Sequence, residues 1–152
     1  MNAQSRTPLR DLFRSTFAHD RWATTRILEA LEPLAAPTPA AGEAANKIAH
    51  IVAAHEVWEA RLRGVAFAGE LLPERIDLND VAQRFQAVSH RLADFIEAAD
   101  EPRFLEEIAY RSTEGAAYTS IVRDVLLHVT HHAMYHRGQA ARLLRDDLAR
   151  PI

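Results

Sequence analysis

The chain has 152 residues, 48% of them hydrophobic and 26% charged, which is the size and composition of one soluble globular domain, expected over residues 1–152. The formal charge is −3 and there is no basic run, which argues against nucleic acid or an anionic membrane as partner. There is also no long apolar stretch and no secretory signal, which favours the cytoplasm. There is no cysteine, so a metal ion would have to be held by His, Asp or Glu.

The first predicted helix runs from about Thr7 to Leu34. Its apolar side chains recur at the helical period: Leu9, Leu12, Phe13, Phe17, Ala23, Ile27 and Leu31. Asp20 and Thr24 fall on the same stripe, His19 lies at its edge, and Trp22 lies off it. An exposed tryptophan on a bundle face suggests a contact between subunits. The segment LAAPTPAAG ends the helix with two prolines and a glycine.

The second predicted helix runs from about Glu43 to Phe67. The side chains expected to be buried are Ile51, Ala54, Val57, Trp58, Leu62 and Val65. His50 and His55 lie about equally far from the middle of this stripe, one on each side, so the helical wheel does not choose between them. Glu56 points outward and is expected to form a surface ion pair.

The third predicted helix, from Leu78 to Ala98, has the clearest stripe and leaves His90 on its outer face. Residues 106 to 118 do not show a helical period, and we expect a loop or short hairpin there. The last helix is expected from about Thr119 to Leu148. Four amphipathic helices in one small domain predict an all-α four-helix bundle. The connection of about ten residues between helices two and three permits a crossover.

Four histidines lie between positions 128 and 136 of the last helix. His132 and His136 fall on its apolar stripe, four residues apart, whereas His128 lies at the edge and His131 close to the opposite face. Two imidazoles at this spacing can share one ion, and a metal satisfies two neutral rings that would otherwise need partners in a dry core. The alternative is a pair of core histidines satisfied by hydrogen bonds. The third ligand would come from another helix, with His50, His55, His19 and Asp20 as candidates.

Two other kinds of metal site are excluded by their spacing. The pair reads His132-Ala-Met-Tyr-His136, without the glutamate of the H-E-x-x-H metalloproteases. No E-x-x-H occurs, so a ferritin-like di-iron bundle is excluded as well.

The run LLHVTHHAMYHRGQAARLL resembles the C-terminal signature of the DinB/YfiT-like superfamily, in which H-x-x-x-H-x-x-x-H-R-G-Q is typical. IAHIVAAHEVWEARL is similar to the second-helix motif of that family, FAHDRWATTRILEAL to its first helix, and YRSTEGAAYTSIVRDVLLH to its strand-like segment. The resemblance covers most of residues 9 to 146. The chain departs from it where the first helix commonly reads Y-x-x-W-x-N, because it has His19, Trp22 and Thr24 there.

The resemblance implies a four-helix bundle with a crossover, usually a homodimer, around a three-histidine metal site. Carried over to this sequence, the ligands are His50, His132 and His136, and His55 becomes a bystander. Within H-R-G-Q, we expect Arg137 to anchor a carboxylate, Gly138 to allow close packing behind the site, and Gln139 either to hydrogen-bond a ligand imidazole or to be solvated.

Three imidazoles on one ion leave a coordination position open, which is typical of a catalytic site. Relatives implied by the resemblance include transferases that use low-molecular-weight thiols (bacillithiol, mycothiol or glutathione), and a metal would turn such a thiol into the thiolate nucleophile. A hydrolase with metal-bound water and a non-enzymatic, stress-linked metal-binding dimer are the alternatives. Nitrogen ligands admit zinc, nickel or iron. The sequence assigns no catalytic residue.

Overall fold

The fold is taken from a computed structural model, which describes residues 8–32, 38–69, 71 and 75–148. Its elements in chain order are α1 (Pro8–Leu31), α2 (Pro39–Leu62), α3 (Leu78–Ala98), α4 (Glu101–Leu105), β1 (Glu107–Arg111), β2 (Ala117–Ile121) and α5 (Val122–Leu148). The four long helices α1, α2, α3 and α5 correspond to the four predicted helices. Thr7 and Leu34, the predicted ends of the first helix, lie outside the described residues.

Helix α2 begins earlier and ends earlier than its apolar period predicts. Thr38 caps its start by accepting a hydrogen bond from the backbone N–H of Ala41, and Pro39 occupies the first turn, where its missing N–H costs nothing. The helix ends at Leu62 rather than Phe67, and Gly64 follows with a φ of 70°. Val65, expected to be buried, is therefore beyond the helix and 46% exposed.

The expectation that Leu12 belongs to the core is also wrong. Its side chain is 51% exposed, whereas Phe13 and Phe17 on the same helix are buried. The buried stripe of α1 is thus narrower on the side of Leu12 than the apolar pattern predicted.

The segment between α3 and α5 contains one short helix and one hairpin. Helix α4 was not predicted; Asp100 caps it by accepting from the N–H of Arg103, and it buries Phe104 against Phe13 at a ring-centroid distance of 5.4 Å. Strands β1 and β2 are antiparallel, with Tyr110 paired to Tyr118. The non-helical segment is confirmed as a hairpin, but the last helix begins at Val122 rather than Thr119, because residues 117–121 pair with β1.

The four long helices form a bundle in which α2 packs mainly on α5 and α3, and α1 packs mainly on α3 and α5. Helices α2 and α3 are therefore neighbours, while α1 and α2, although consecutive, share only a smaller contact. The all-α four-helix-bundle class is confirmed, with the hairpin against α2 and α5 as its one β element. None of the described helices has both the length and the apolar character needed to cross a membrane.

Candidate metal centre

Three histidine side chains meet where α2 packs against α5. His50 comes from α2, and His132 and His136 come from successive turns of α5. One nitrogen from each ring lies within 4.8 Å of the nitrogens from the other two, and the Nε2 atoms of His50 and His132 are 3.0 Å apart. Each of these side chains is half-buried, so the cluster opens towards solvent on one side. The helical period places His132 and His136 on one face of α5, and the packing of α2 on α5 brings His50 next to them.

The separation of these nitrogens suits one small divalent ion. Tetrahedral zinc bonded to imidazole nitrogens at about 2.0–2.1 Å separates neighbouring nitrogens by roughly 3.3 Å. The distance between Nε2 of His50 and Nε2 of His132 is close to this value, and all three nitrogens lie within 4.8 Å of one another. Three imidazole donors without thiolates or carboxylates admit zinc, nickel or iron, as the composition predicts.

Gln139 orients one of the three rings. Its Oε1 accepts a hydrogen bond of 2.9 Å from Nδ1 of His136, one turn away on α5. Because an amide oxygen can only accept, Nδ1 carries the proton of this hydrogen bond. Outer hydrogen bonds of this kind set the tautomer and the orientation of a metal-binding imidazole. Of the two alternatives for Gln139, the hydrogen bond to a ligand ring is the one observed.

The environment favours the neutral form of His50 and His132. Burial, together with the neighbouring His136 and His50, lowers the pKa of His132 to about 4. Burial also lowers the pKa of His50, with a contribution from His136. Neutral rings at pH 7 have free lone pairs, so protons compete weakly with a metal ion there.

The other histidines of α5 occupy the positions that the helical wheel predicted. His131 is exposed. His128 is exposed at the edge of the cluster, stacked on His132 at a centroid distance of 5.9 Å and in edge contact with Trp58 at 5.3 Å. Burial lowers its pKa as well. His19 and His90 are exposed and lie away from the cluster.

His55 is not part of the three-histidine cluster, as the resemblance implied, but it contacts a buried carboxylate. It is 1% exposed and faces away from the three-histidine cluster, towards α1. Its Nδ1 donates to the carbonyl oxygen of Ile51 at 2.8 Å, and its Nε2 lies 2.9 Å from a carboxylate oxygen of Asp20. Because a carbonyl oxygen can only accept, Nδ1 carries a proton, and Nε2 faces the carboxylate of Asp20.

Asp20 joins three helices. Besides His55 of α2, it binds the guanidinium of Arg137 of α5, which also donates to the hydroxyl of Thr24 at 3.2 Å. Burial alone would raise the pKa of Asp20, but the hydrogen bond and charge of His55, followed by those of Arg137, outweigh it and lower the pKa. Asp20 is 2% and Arg137 7% exposed. The expectation that Arg137 anchors a carboxylate is confirmed. Its partner Asp20 stood out in the sequence as a charged residue on an apolar stripe.

Two further expectations can be compared with the structure. Glu56 forms a two-point ion pair with Arg84 of α3, with N–O distances of 2.6 and 3.1 Å, so its predicted ion pair is confirmed, although it is half-buried. The packing role expected for Gly138 is wrong. This glycine is exposed, and a Cβ placed on it would meet no heavy atom within 4 Å.

A cavity of about 470 Å³ adjoins the cluster on the side of the hairpin. His50 lines one end of it, and Trp58 and Arg61 of α2 line the other with Tyr110 and Tyr118 of the hairpin. A volume of this order is typical of small-molecule sites. The sequence analysis did not find this cavity, because it depends on how the hairpin docks on α2.

A half-buried three-histidine cluster beside a cavity, in a four-helix bundle, defines a class of helical proteins that could hold a divalent metal ion. The sequence model of the DinB family matches residues 6–147, and the chain belongs to the DinB family. No curated protein and no solved structure matched the chain.

Proposed function

We propose that this chain is a metal-dependent enzyme, a transferase that activates a low-molecular-weight thiol at a divalent ion held by His50, His132 and His136. The observation that carries the proposal is the convergence of three imidazole nitrogens within 4.8 Å at a half-buried, open position. Three protein ligands with an accessible side are typical of catalytic rather than structural metal sites.

When bound, the ion would supply Lewis acidity, which makes a thiol in the open position acidic enough to be deprotonated at neutral pH. The protein itself contributes three imidazole rings, and Gln139 orients that of His136. His128 lies beside His132 and Trp58, in contact with both rings.

The thiol reaction is favoured over hydrolysis because the carboxylates of Asp20 and Glu56 are held in ion pairs. Activation of water benefits from a general base within hydrogen-bond reach of the site. Among the described residues, Glu56 is held by Arg84, and Asp20 is enclosed by His55 and Arg137. No other described carboxylate belongs to the group of possible metal ligands. A thiol requires no such base, since its proton is lost to solvent on binding.

The experiment combines metal analysis with thiol consumption. The protein as purified is expected to contain close to one zinc, nickel or iron ion per chain. The metal-loaded protein should consume bacillithiol, mycothiol or glutathione in the presence of a panel of electrophiles. The chelated protein and the His132→Ala variant should not. A protein that binds no divalent ion tightly, or that gives the same thiol loss with and without metal, would contradict the proposal.

A further inference from the structure

The cavity beside the cluster carries the positive charge of Arg61 at the end away from His50. Arg61 lies three turns along α2 from His50, about 16 Å between their Cα atoms at the rise of an α-helix. Its guanidinium folds back along the helix and lies 4.4 Å from the ring centroid of Trp58 and 4.6 Å from that of Tyr110. The cation therefore contacts both aromatic rings, and Arg61 lines the cavity.

Arg61 is not neutralised by any carboxylate in the part of the chain that the structure describes. Its one hydrogen bond goes to the carbonyl oxygen of Arg111 at 3.0 Å. Burial lowers the pKa of Arg61, and the neighbouring Tyr110 offsets part of this effect. By contrast, Arg84 on the neighbouring α3 forms two hydrogen bonds to Glu56.

The walls between the two ends are mostly aromatic and apolar, with Ser112 and Thr113 as polar side chains among them. Tyr110 stacks on Tyr118 at a centroid distance of 6.0 Å, and Trp58 meets Tyr110 edge-on at 5.1 Å. Ala53, Ala54 and Val57 complete the floor on α2. Such walls suit a planar apolar body better than a flexible polar chain. A single guanidinium neutralises one negative charge, which favours a monoanion over a doubly charged phosphate ester.

From these contacts we propose that the cavity binds the electrophilic substrate, and that this substrate is a planar aromatic or conjugated carboxylate with its carboxylate on Arg61 and its body directed towards His50. This inference rests on the proposed function only in that it calls the ligand a substrate. The binding site itself depends only on the cavity, and it can be tested without the metal.

The test uses trans-cinnamate and cinnamamide, two planar molecules of nearly equal shape that differ in charge. The chain has two tryptophans, so a Trp22→Phe background leaves Trp58 as the only tryptophan reporter of binding. Full-length protein, metal-loaded and chelated, is titrated with each compound. Cinnamate is expected to quench Trp58 saturably in both forms, and cinnamamide should bind about tenfold more weakly or worse.

Arg61→Gln should weaken cinnamate binding by about tenfold and leave cinnamamide binding nearly unchanged. Arg26→Gln removes the same charge from an exposed ion pair with Glu29 on α1 and serves as the matched control, with no expected effect on either compound. An equal loss of both compounds in Arg61→Gln would show that Arg61 only shapes the cavity and would overturn the proposal. Failure of wild-type protein to bind cinnamate, or equal binding of the two compounds, would also overturn it.

The two proposals fail in different ways. If the metal function is wrong and the cavity assignment is right, cinnamate still binds to chelated protein and to His132→Ala, although no thiol is consumed. If the cavity assignment is wrong, cinnamate binds Arg61→Gln and wild type equally. The metal content and the metal-dependent consumption of thiol can still be as the proposed function predicts.

Discussion

Nδ1 of His136 donates a 2.9 Å hydrogen bond to Oε1 of Gln139, and this leaves Nε2 of the same ring free to face His50 and His132. The two residues lie one turn apart on α5, so a helix of fixed geometry carries both the proposed ligand and the group that orients it. The glutamine side chain thereby contributes to the site without facing it.

The first prediction follows from this pair. Gln139→Leu removes the acceptor and should weaken metal binding by about 10- to 100-fold, because the ring of His136 loses its fixed tautomer and orientation. Competition with a chromophoric chelator would measure the change. Gln139→Glu, which keeps an acceptor oxygen at nearly the same place, is the matched control and should bind at least as tightly as wild type. Equal affinity of Gln139→Leu and wild type would rule out this role.

The second prediction separates the two histidines of α2. His50→Ala should lose tight metal binding, since two imidazoles hold an ion far more weakly than three. His55→Ala should keep the metal but lower the free energy of unfolding by about 2–4 kcal/mol, because it leaves buried Asp20 with one partner fewer and opens a cavity. Metal titration and urea unfolding measure the two effects. His131→Ala, an exposed position, should change neither. Loss of metal in His55→Ala with retention in His50→Ala would reverse the assignment.

The third prediction concerns acid stability. The folded-state pKa of Asp20 is lowered below its unfolded value of about 3.9, so its contribution to stability is present above that value and is lost as the pH falls through the folded pKa. Chelated Asp20→Asn should therefore be less stable than wild type at pH 7, and the difference should shrink on acidification below about pH 4. Urea unfolding at several pH values would test this. A stability difference that does not change with pH would contradict it.

The fourth prediction uses the glycine of the H-R-G-Q motif. Gly138 lies in an exposed helix interior with open space around its Cα, so Gly138→Ala should raise the free energy of unfolding by about 0.5–1 kcal/mol without changing metal affinity. Gly64→Ala is the contrasting variant, because its φ of 70° is unfavourable for a side chain and the change should destabilise the fold. Thermal unfolding compares the two. Destabilisation by Gly138→Ala would restore a packing role for this glycine.

The fifth prediction is that the protein forms a homodimer through the face of α1 that carries Trp22. This side chain is 61% exposed, in contact with His19, and lines a groove between α1 and α3. A large exposed aromatic side chain is typical of subunit contacts. Sedimentation at micromolar concentration should give a dimer of the 17.1 kDa chain for wild type and a monomer for Trp22→Glu. A monomeric wild type would exclude this interface.

Much of the candidate site could be predicted from local periodicity. The 3.6-residue period of a helix is set by the backbone, so it placed His132 and His136 inside and His131 outside before any packing was known. The same period placed Asp20 and Thr24 on a buried stripe. Their partner Arg137 could be expected to hold a carboxylate, although which one was not determined.

The tertiary structure decided the points at which two elements meet. His50 and His55 flank the stripe of α2 at similar angles, and only the packing of α5 on one side and α1 on the other made the first a member of the cluster and the second a buried partner of Asp20. The cavity walled by Trp58 and Tyr110 likewise exists only because the hairpin docks on α2. A helical period determines which way a side chain points along its own helix, but it carries no information about which neighbour stands there.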